Sequence, residues 1–297
     1  MVKKTNTKEE KLESLGDTVA LLNARFKKNV VQFGYAKVRE RIPFRSEKMN
    51  EITGGGVPAG LFSVIWGPKG STKTTDCYEL VANAQKMNKR CYWIDLERSF
   101  DPVWAKINGV NVDDLIYGGS FATAEEALDT VLFLTRNNSI DLIILDSIQG
   151  LSPEGENYSK KGKEQSLKDD TMALIAKKLS QFFRMSASGV ATSNCTMVMI
   201  GQTRKDIGGY ITLDKLSGGN ALEHWSSLTI KLRRGQKSDF PAISTKTGNP
   251  VKASNENAEI IGLDIVALVE KSKVGPDEGK SCHVKFISGK GNCDWDG

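Results

Sequence analysis

The chain has 297 residues, with 41 Lys plus Arg against 36 Asp plus Glu, a formal net charge of +5. Apolar residues make up 39% and charged residues 26%, ordinary globular values that argue against a fibrous or wholly disordered chain. No apolar run approaches the roughly 18–20 residues needed to span a bilayer. The charged start MVKKTNTKEEKLESLGD lacks the apolar core of a secretory signal, so an intracellular soluble protein is expected.

In chain order, residues 8–28 predict a helix, because Leu12, Leu15, Val19, Leu22 and Phe26 recur on one face. Residues 29–50 are rich in basic groups and predict a linker, and GGG at 54–56 with Pro58 predicts a loop. From residue 60 strands and helices alternate: strands at 61–66, 90–95, 141–146 and 196–201, with helices at 73–87, 124–136 and about 170–186. Unbroken apolar strands in such an alternation imply an α/β fold, a mostly parallel sheet flanked by helices. Further strands are expected at 227–232, 261–271 and 282–287, and the polar stretch 235–258 predicts a mobile loop.

The five cysteines, Cys77, Cys91, Cys195, Cys282 and Cys293, are odd in number and contain no C-x-x-C, so neither a disulfide framework nor a zinc site is expected. Buried, inert thiols are the expectation for most of them. His224 and His283 are the only histidines, which supplies a Ser-His-Asp mechanism poorly.

The strand at 61–66 runs into GPKGSTKTT (67–75), which opens a helix. Gly67, Lys73 and Thr74 fit the phosphate-loop pattern G-x-x-x-x-G-K-[ST], but Thr72 stands where the last glycine belongs. Backbone N–H groups at such a helix start hold phosphate oxygens, a lysine reaches the β/γ-phosphates and a threonine hydroxyl ligates Mg²⁺. Thr72 is β-branched and resists the left-handed conformation a glycine adopts there. DLIILD ends in Asp146, placed to hold the magnesium through water, and IDLERSFDP places Glu97 just past another strand end, where a carboxylate is able to activate water.

GGGVPAGLFSVIWGPKGSTKTT, WIDLERSFDPVWAKINGV, LIILDSIQGLSP, MIGQTR and SGGNAL, in this order, resemble the RecA family of recombinases. VRERIPFRSEKMNEITGG is similar to the core entry of phage recombinases of the UvsX type, a branch in which the last loop glycine can be replaced by a bulky residue. The resemblance covers residues 8–290 and implies three parts: a polymerisation helix at 1–33, a linker at 34–50 and an ATPase core at 51–297, with the family's C-terminal domain absent.

It implies that ATP is bound by Gly67, Pro68, Lys69, Gly70, Ser71, Thr72, Lys73, Thr74 and Thr75, with Asp101 and Trp104 at the adenine and Mg²⁺ on Thr74 and Asp146. Glu97 would be the catalytic acid and Gln202 the γ-phosphate sensor, while Lys271 and Lys273 would reach the neighbouring subunit's ATP. Loops at 152–170 and 203–219 would bind DNA. The contacts implied are Lys160, Lys161, Lys163, Met172, Lys177, Ser180, Arg184, Arg204, Ile207, Gly218, Gly219 and Asn220.

The implied protein is a cytoplasmic, bacterial or phage-encoded, ATP-dependent recombinase that forms a helical filament of copies of itself on single-stranded DNA, pairs it with double-stranded DNA and has no membrane partner. Two other readings stand beside it: a regulatory RecA-fold ATPase, and a DNA-binding filament protein with little ATP turnover.

Overall fold

The unbroken apolar runs form strands whose alternate side chains supply two cores, one on each sheet face. The computed structural model describes residues 14–27, 29–32, 38–154, 172–205, 214–216, 219–275 and 277–294. The chain divides between Arg39 and Glu40 into two units.

In the first unit, α1 (Leu15–Phe26) is capped by Ser14, whose hydroxyl accepts from Asp17 N, and ends at Lys27 in the left-handed conformation. The Asn23 amide holds the following segment through Val30 N and Val31 N. No α1 residue is buried, and Leu15, Leu21 and Phe26 are exposed.

The second unit begins with β1 (Arg41–Ile42), α2 (Glu47–Thr53) and β2 (Val57–Pro58), with β1 and β2 paired antiparallel. Residues 41–50, expected as linker, are therefore part of the core, and Ile42, Phe44 and Met49 are buried. The basic composition masked these anchors, which are too few and too unevenly spaced to show a period.

Then follow β3 (Phe62–Gly67), α3 (Lys73–Lys86), β4 (Cys91–Asp95), α4 (Pro102–Ile107), β5 (Leu115–Gly118), α5 (Ala124–Arg136), β6 (Leu142–Asp146), α6 (Met172–Ser193), β7 (Thr196–Lys205), β8 (Asp214–Leu216), α7 (Gly219–Trp225) and β9 (Leu228–Arg234). The last stretch holds β10 (Ala242–Ser244), β11 (Pro250–Val251), β12 (Ala258–Ile260), β13 (Gly262–Ser272), β14 (Ser281–Ile287) and β15 (Gly291–Cys293).

The main sheet has the order β15-β14-β13-β9-β3-β7-β6-β4-β5, with β8 paired to β7. Strands β9, β3, β7, β6, β4 and β5 run parallel, and β13, β14 and β15 continue antiparallel. The expected mostly parallel sheet flanked by helices is thus present.

Alternation sorts the strands by face. Trp93, Ile144 and Val198 join Leu80 and Val81 of α3 in one core. Ile94, Ile143 and Met197 join Val131 of α5 and Phe183 of α6 in the other. The 235–258 stretch is not a bare loop, because β11, β10 and β12 form a small antiparallel sheet within and just beyond it. Two- and three-residue strands are too short to leave a period in the sequence.

Candidate nucleotide site and nucleic-acid face

Gly67 ends β3 where a Cβ would lie 2.1 Å from the Leu232 carbonyl oxygen, so only glycine fits beneath the loop. Gly70 turns at φ 73, and Arg234 Nε donates to its carbonyl at 3.0 Å. Thr72 adopts the left-handed conformation after all, with φ 61 and ψ 11. For a non-glycine residue this costs on the order of 1–3 kcal/mol, which the surrounding loop must offset.

Lys73 is buried, and its ammonium donates to Gly67 O at 3.0 Å, Pro68 O at 2.8 Å and Ser71 Oγ at 3.5 Å. Burial lowers its pKa, while the charges of Asp146 and Glu97 act in the opposite direction. Lys69 is exposed on the outer turn of the loop.

Thr74 Oγ1 donates to Asp146 Oδ2 at 3.2 Å, joining the helix start to the end of β6. Burial, with a further contribution from Glu97, raises the Asp146 pKa to about 7. Glu97 lies past the end of β4, and its Oε1 accepts from Gln202 Nε2 at 2.9 Å and from the Ser147 hydroxyl. The ends of β4 and β6, with β7 at the level where Gln202 pairs with Gly67 at the end of β3, thereby bring Glu97, Ser147, Asp146 and Gln202 together; β7 itself continues to Lys205, past the expected strand end at 201. Ser147 was not singled out in the sequence; its place directly after Asp146 was the only signal.

Asp95 was missed as well. It is buried and accepts from Ser99 N, Phe100 N and the Tyr117 hydroxyl, which fixes the loop that presents Glu97.

Asp101 caps α4, accepting from Val103 N at 2.9 Å and Trp104 N at 3.1 Å. Trp104 Nε1 donates to Thr75 Oγ1 at 3.2 Å, and its ring packs edge-on against Phe286 at 6.0 Å. Both residues thus have structural contacts of their own, and Thr75 ties Trp104 to the phosphate-loop helix.

Lys271 and Lys273 converge, but not on this chain's phosphate loop. Lys271 Nζ donates to the Glu223 and His224 carbonyls, and Lys273 Nζ donates to His224 O at 2.5 Å. Both therefore cap the C-terminal end of α7, where cations suit the helix dipole. Burial, and then the neighbouring Lys273, lower the pKa of Lys271.

On α6, Lys177 and Arg184 are exposed and Arg184 donates to Ser180 Oγ at 2.9 Å, while Leu179, Phe182 and Phe183 are buried on the opposite side. The three polar residues share one face, as their spacing predicts. Met172 opens α6, Arg204 lies in β7, and Gly219 and Asn220 open α7. Lys160, Lys161, Lys163, Ile207 and Gly218 lie outside the described residues.

All five cysteines are free, and Cys77, Cys91 and Cys195 are buried. Burial pushes the thiols of Cys91 and Cys195 up to about 12, which keeps them protonated and unreactive. Among the described residues no helix is long and apolar enough to cross a membrane.

The family profile described as "RecA N-terminal domain" matches residues 14–290. "Protein RecA" of Marinobacter nauticus is 33% identical over 288 residues, covering 95% of this chain and 76% of that protein. "Protein RecA" of Chloroflexus aurantiacus is 33% identical over 273 residues, covering 90% and 71%. "Protein RecA" of Colwellia psychrerythraea is 34% identical over 238 residues, covering 80% and 62%. A match along nearly the whole chain, through the strand ends that carry the phosphate loop, Glu97 and Asp146 and through Gln202 on β7, places this protein in the RecA family.

Proposed function

We propose that the strand-end cluster is the ATP site of a DNA strand-exchange enzyme and that each residue there has a separable role. As a RecA-family member the chain is an ATP-dependent DNA recombinase of recombination and repair, and its enzymatic activity is DNA-dependent hydrolysis of ATP. The observation that carries the assignment is the meeting of Glu97 with Gln202 and Ser147, beside the Thr74–Asp146 pair.

ATP would lie with its phosphates over residues 67–75, where the Lys73 ammonium exchanges the loop carbonyls for phosphate oxygens. Thr74 and Asp146 offer the hard oxygen donors that suit Mg²⁺, whose charge would neutralise the β- and γ-phosphates. Glu97 orients the attacking water and takes its proton. Gln202, released from Glu97, donates its amide N–H to a phosphate oxygen. Because Gln202 lies on β7, which itself runs through Thr203, Arg204 and Lys205 at the start of the expected DNA-binding segment, the state of the phosphate would reach the DNA face along one strand. Asp101 and the Trp104 indole would border the adenine.

Lys271 and Lys273 of one subunit would act at the ATP of the next, adding positive charge in trans. The exposed apolar side chains of α1 suit a head-to-tail contact with the next copy, which repeats without closing into a ring. Lys177, Ser180, Arg184, Arg204, Gly219, Asn220, Met172, Lys160, Lys161, Lys163, Ile207 and Gly218 would hold single-stranded DNA and sample duplex DNA. Contacts to phosphate are independent of sequence and weaken with salt. The setting would be a bacterial cytoplasm, or that of a phage-infected host.

Strand exchange between homologous DNAs with ATP and Mg²⁺ tests the reading. Exchange accompanied by DNA-stimulated ATP hydrolysis is expected. A protein that coats single-stranded DNA in ATP yet leaves homologous strands unexchanged overturns it.

A further inference from the structure

Among the described residues, four α-helix starts share one capping arrangement. The side chains of Ser14, Ser46, Asp101 and Thr123 each accept a hydrogen bond from a backbone N–H in the first turn of the helix that follows. Thr72 stands at the same position before α3 and makes no such bond. Its hydroxyl instead faces Asp76, with Thr72 Oγ1 3.4 Å from Asp76 Oδ2. That distance is long for an O–H···O bond, so it selects a side-chain orientation more than it supplies energy.

The difference matters at this helix start. A threonine at an N-cap ordinarily occupies the N–H of the second or third helical residue. Before α3 those belong to Thr74 and Thr75, and they are the donors that a phosphate needs. A glycine at position 72 has no hydroxyl to compete and adopts φ 61 without strain.

Asp76 is itself held firmly. It is buried, and its Oδ1 accepts from Asn292 Nδ2 on β15 at 2.9 Å. Asn292 N is fixed in turn by Glu79 Oε1 at 2.9 Å, one turn further along α3.

We propose that Asp76 is a positioning residue for the phosphate loop: it draws the Thr72 hydroxyl away from the α3 N–H groups and holds Thr72 in the left-handed conformation, doing for this loop what a glycine does by lacking a side chain. This rests on the nucleotide reading above. Asp76 touches no phosphate and acts only through Thr72.

The test is a double-mutant cycle on the full chain, read as affinity for a non-hydrolysable ATP analogue and as KM and kcat of DNA-stimulated hydrolysis. Asp76→Ala is expected to weaken analogue binding and raise KM by about fivefold, the effect of a freed Thr72 hydroxyl taking one α3 N–H from the phosphate, with kcat changed by less than about twofold. In a Thr72→Gly background the same substitution should change neither quantity, because no hydroxyl remains to be held. Thr72→Val replaces the hydroxyl with a methyl group and so removes both the competitor and the tether; it should lose less affinity than Asp76→Ala, through the left-handed conformation alone, and Asp76→Ala should add nothing further in that background. Thr72→Val also serves as the test where Asp76→Ala disturbs folding.

Equal losses from Asp76→Ala in both backgrounds overturn the proposal, as does a Thr72→Val protein that binds as tightly as the unmodified one. Absence of binding by the unmodified protein overturns the nucleotide reading and this proposal with it, whereas binding with an additive cycle overturns this proposal alone.

Discussion

Two carboxylate pairs flank the phosphate loop, and burial raises pKa values in both. Asp146, with Glu97, lies at the strand ends, and its pKa rises to about 7 through burial and then the Glu97 charge. Asp76 and Glu79 lie on α3 under β15; Asp76 is raised well above its usual value by burial and then by Glu79, and Glu79 reaches about 7 mainly through burial. The partners differ. Asp146 and Glu97 bond groups able to exchange them for a substrate or cation: Thr74, Ser147 and Gln202. Asp76 and Glu79 are bound to Asn292 of β15, whose Oδ1 is buried without a donor beside the pair. A raised pKa therefore marks burial in both places, and only the partners and their setting separate a reacting pair from a supporting one.

The largest expected effect is at Glu97. Glu97→Gln keeps the shape and removes the base, so hydrolysis at saturating ATP and DNA should fall by about 10²–10⁴-fold while analogue binding persists, measured by phosphate release and by titration. An equal loss in Glu79→Gln would break the contrast between the pairs.

Asp146 sharpens it through pH. An acid with a higher pKa folded than unfolded holds its proton more tightly in the native state, so rising pH between 3.8 and about 7 removes stability. Asp146→Asn should therefore raise the Tm of nucleotide-free protein by about 2–4 °C at pH 8, with the gain shrinking towards pH 4, and should abolish the Mg²⁺-dependent part of ATP binding. Thermal scans across pH, with and without Mg²⁺, report both.

Glu79 gives the smallest effect. Its folded pKa of about 7 stands above the usual 4.5, so the same sign applies. Glu79→Gln should raise Tm by about 1–2 °C at pH 8 and by less at pH 5, since the lost Arg45 contact at 3.6 Å offsets part of the gain. Its kcat should stay within about twofold of the unmodified value.

Local signals account for what was legible beforehand. Strands β3, β4, β6 and β7 stand out because chains buried on both faces read as unbroken apolar runs, and α3 and α5 because their apolar positions keep a helical period. Gly67, Lys73 and Thr74 are legible as a short motif, and Asp146 and Glu97 because they sit at strand ends. Those facts follow from neighbours in the chain, so the amino-acid sequence by itself determined the α/β class and the position of the phosphate loop.

Tertiary structure decided what lies far apart in the chain. It brought Gln202 to Glu97 across 105 residues and Asn292 to Asp76 across 216. It placed Lys271 and Lys273 on the end of α7, and paired β10, β11 and β12 where composition suggested a loop. It also settled Thr72, whose local preference opposes the left-handed turn it adopts. Propensity and periodicity act over a few residues, whereas these contacts exist only once the sheet order has brought distant strands together and burial has made their polar groups find partners.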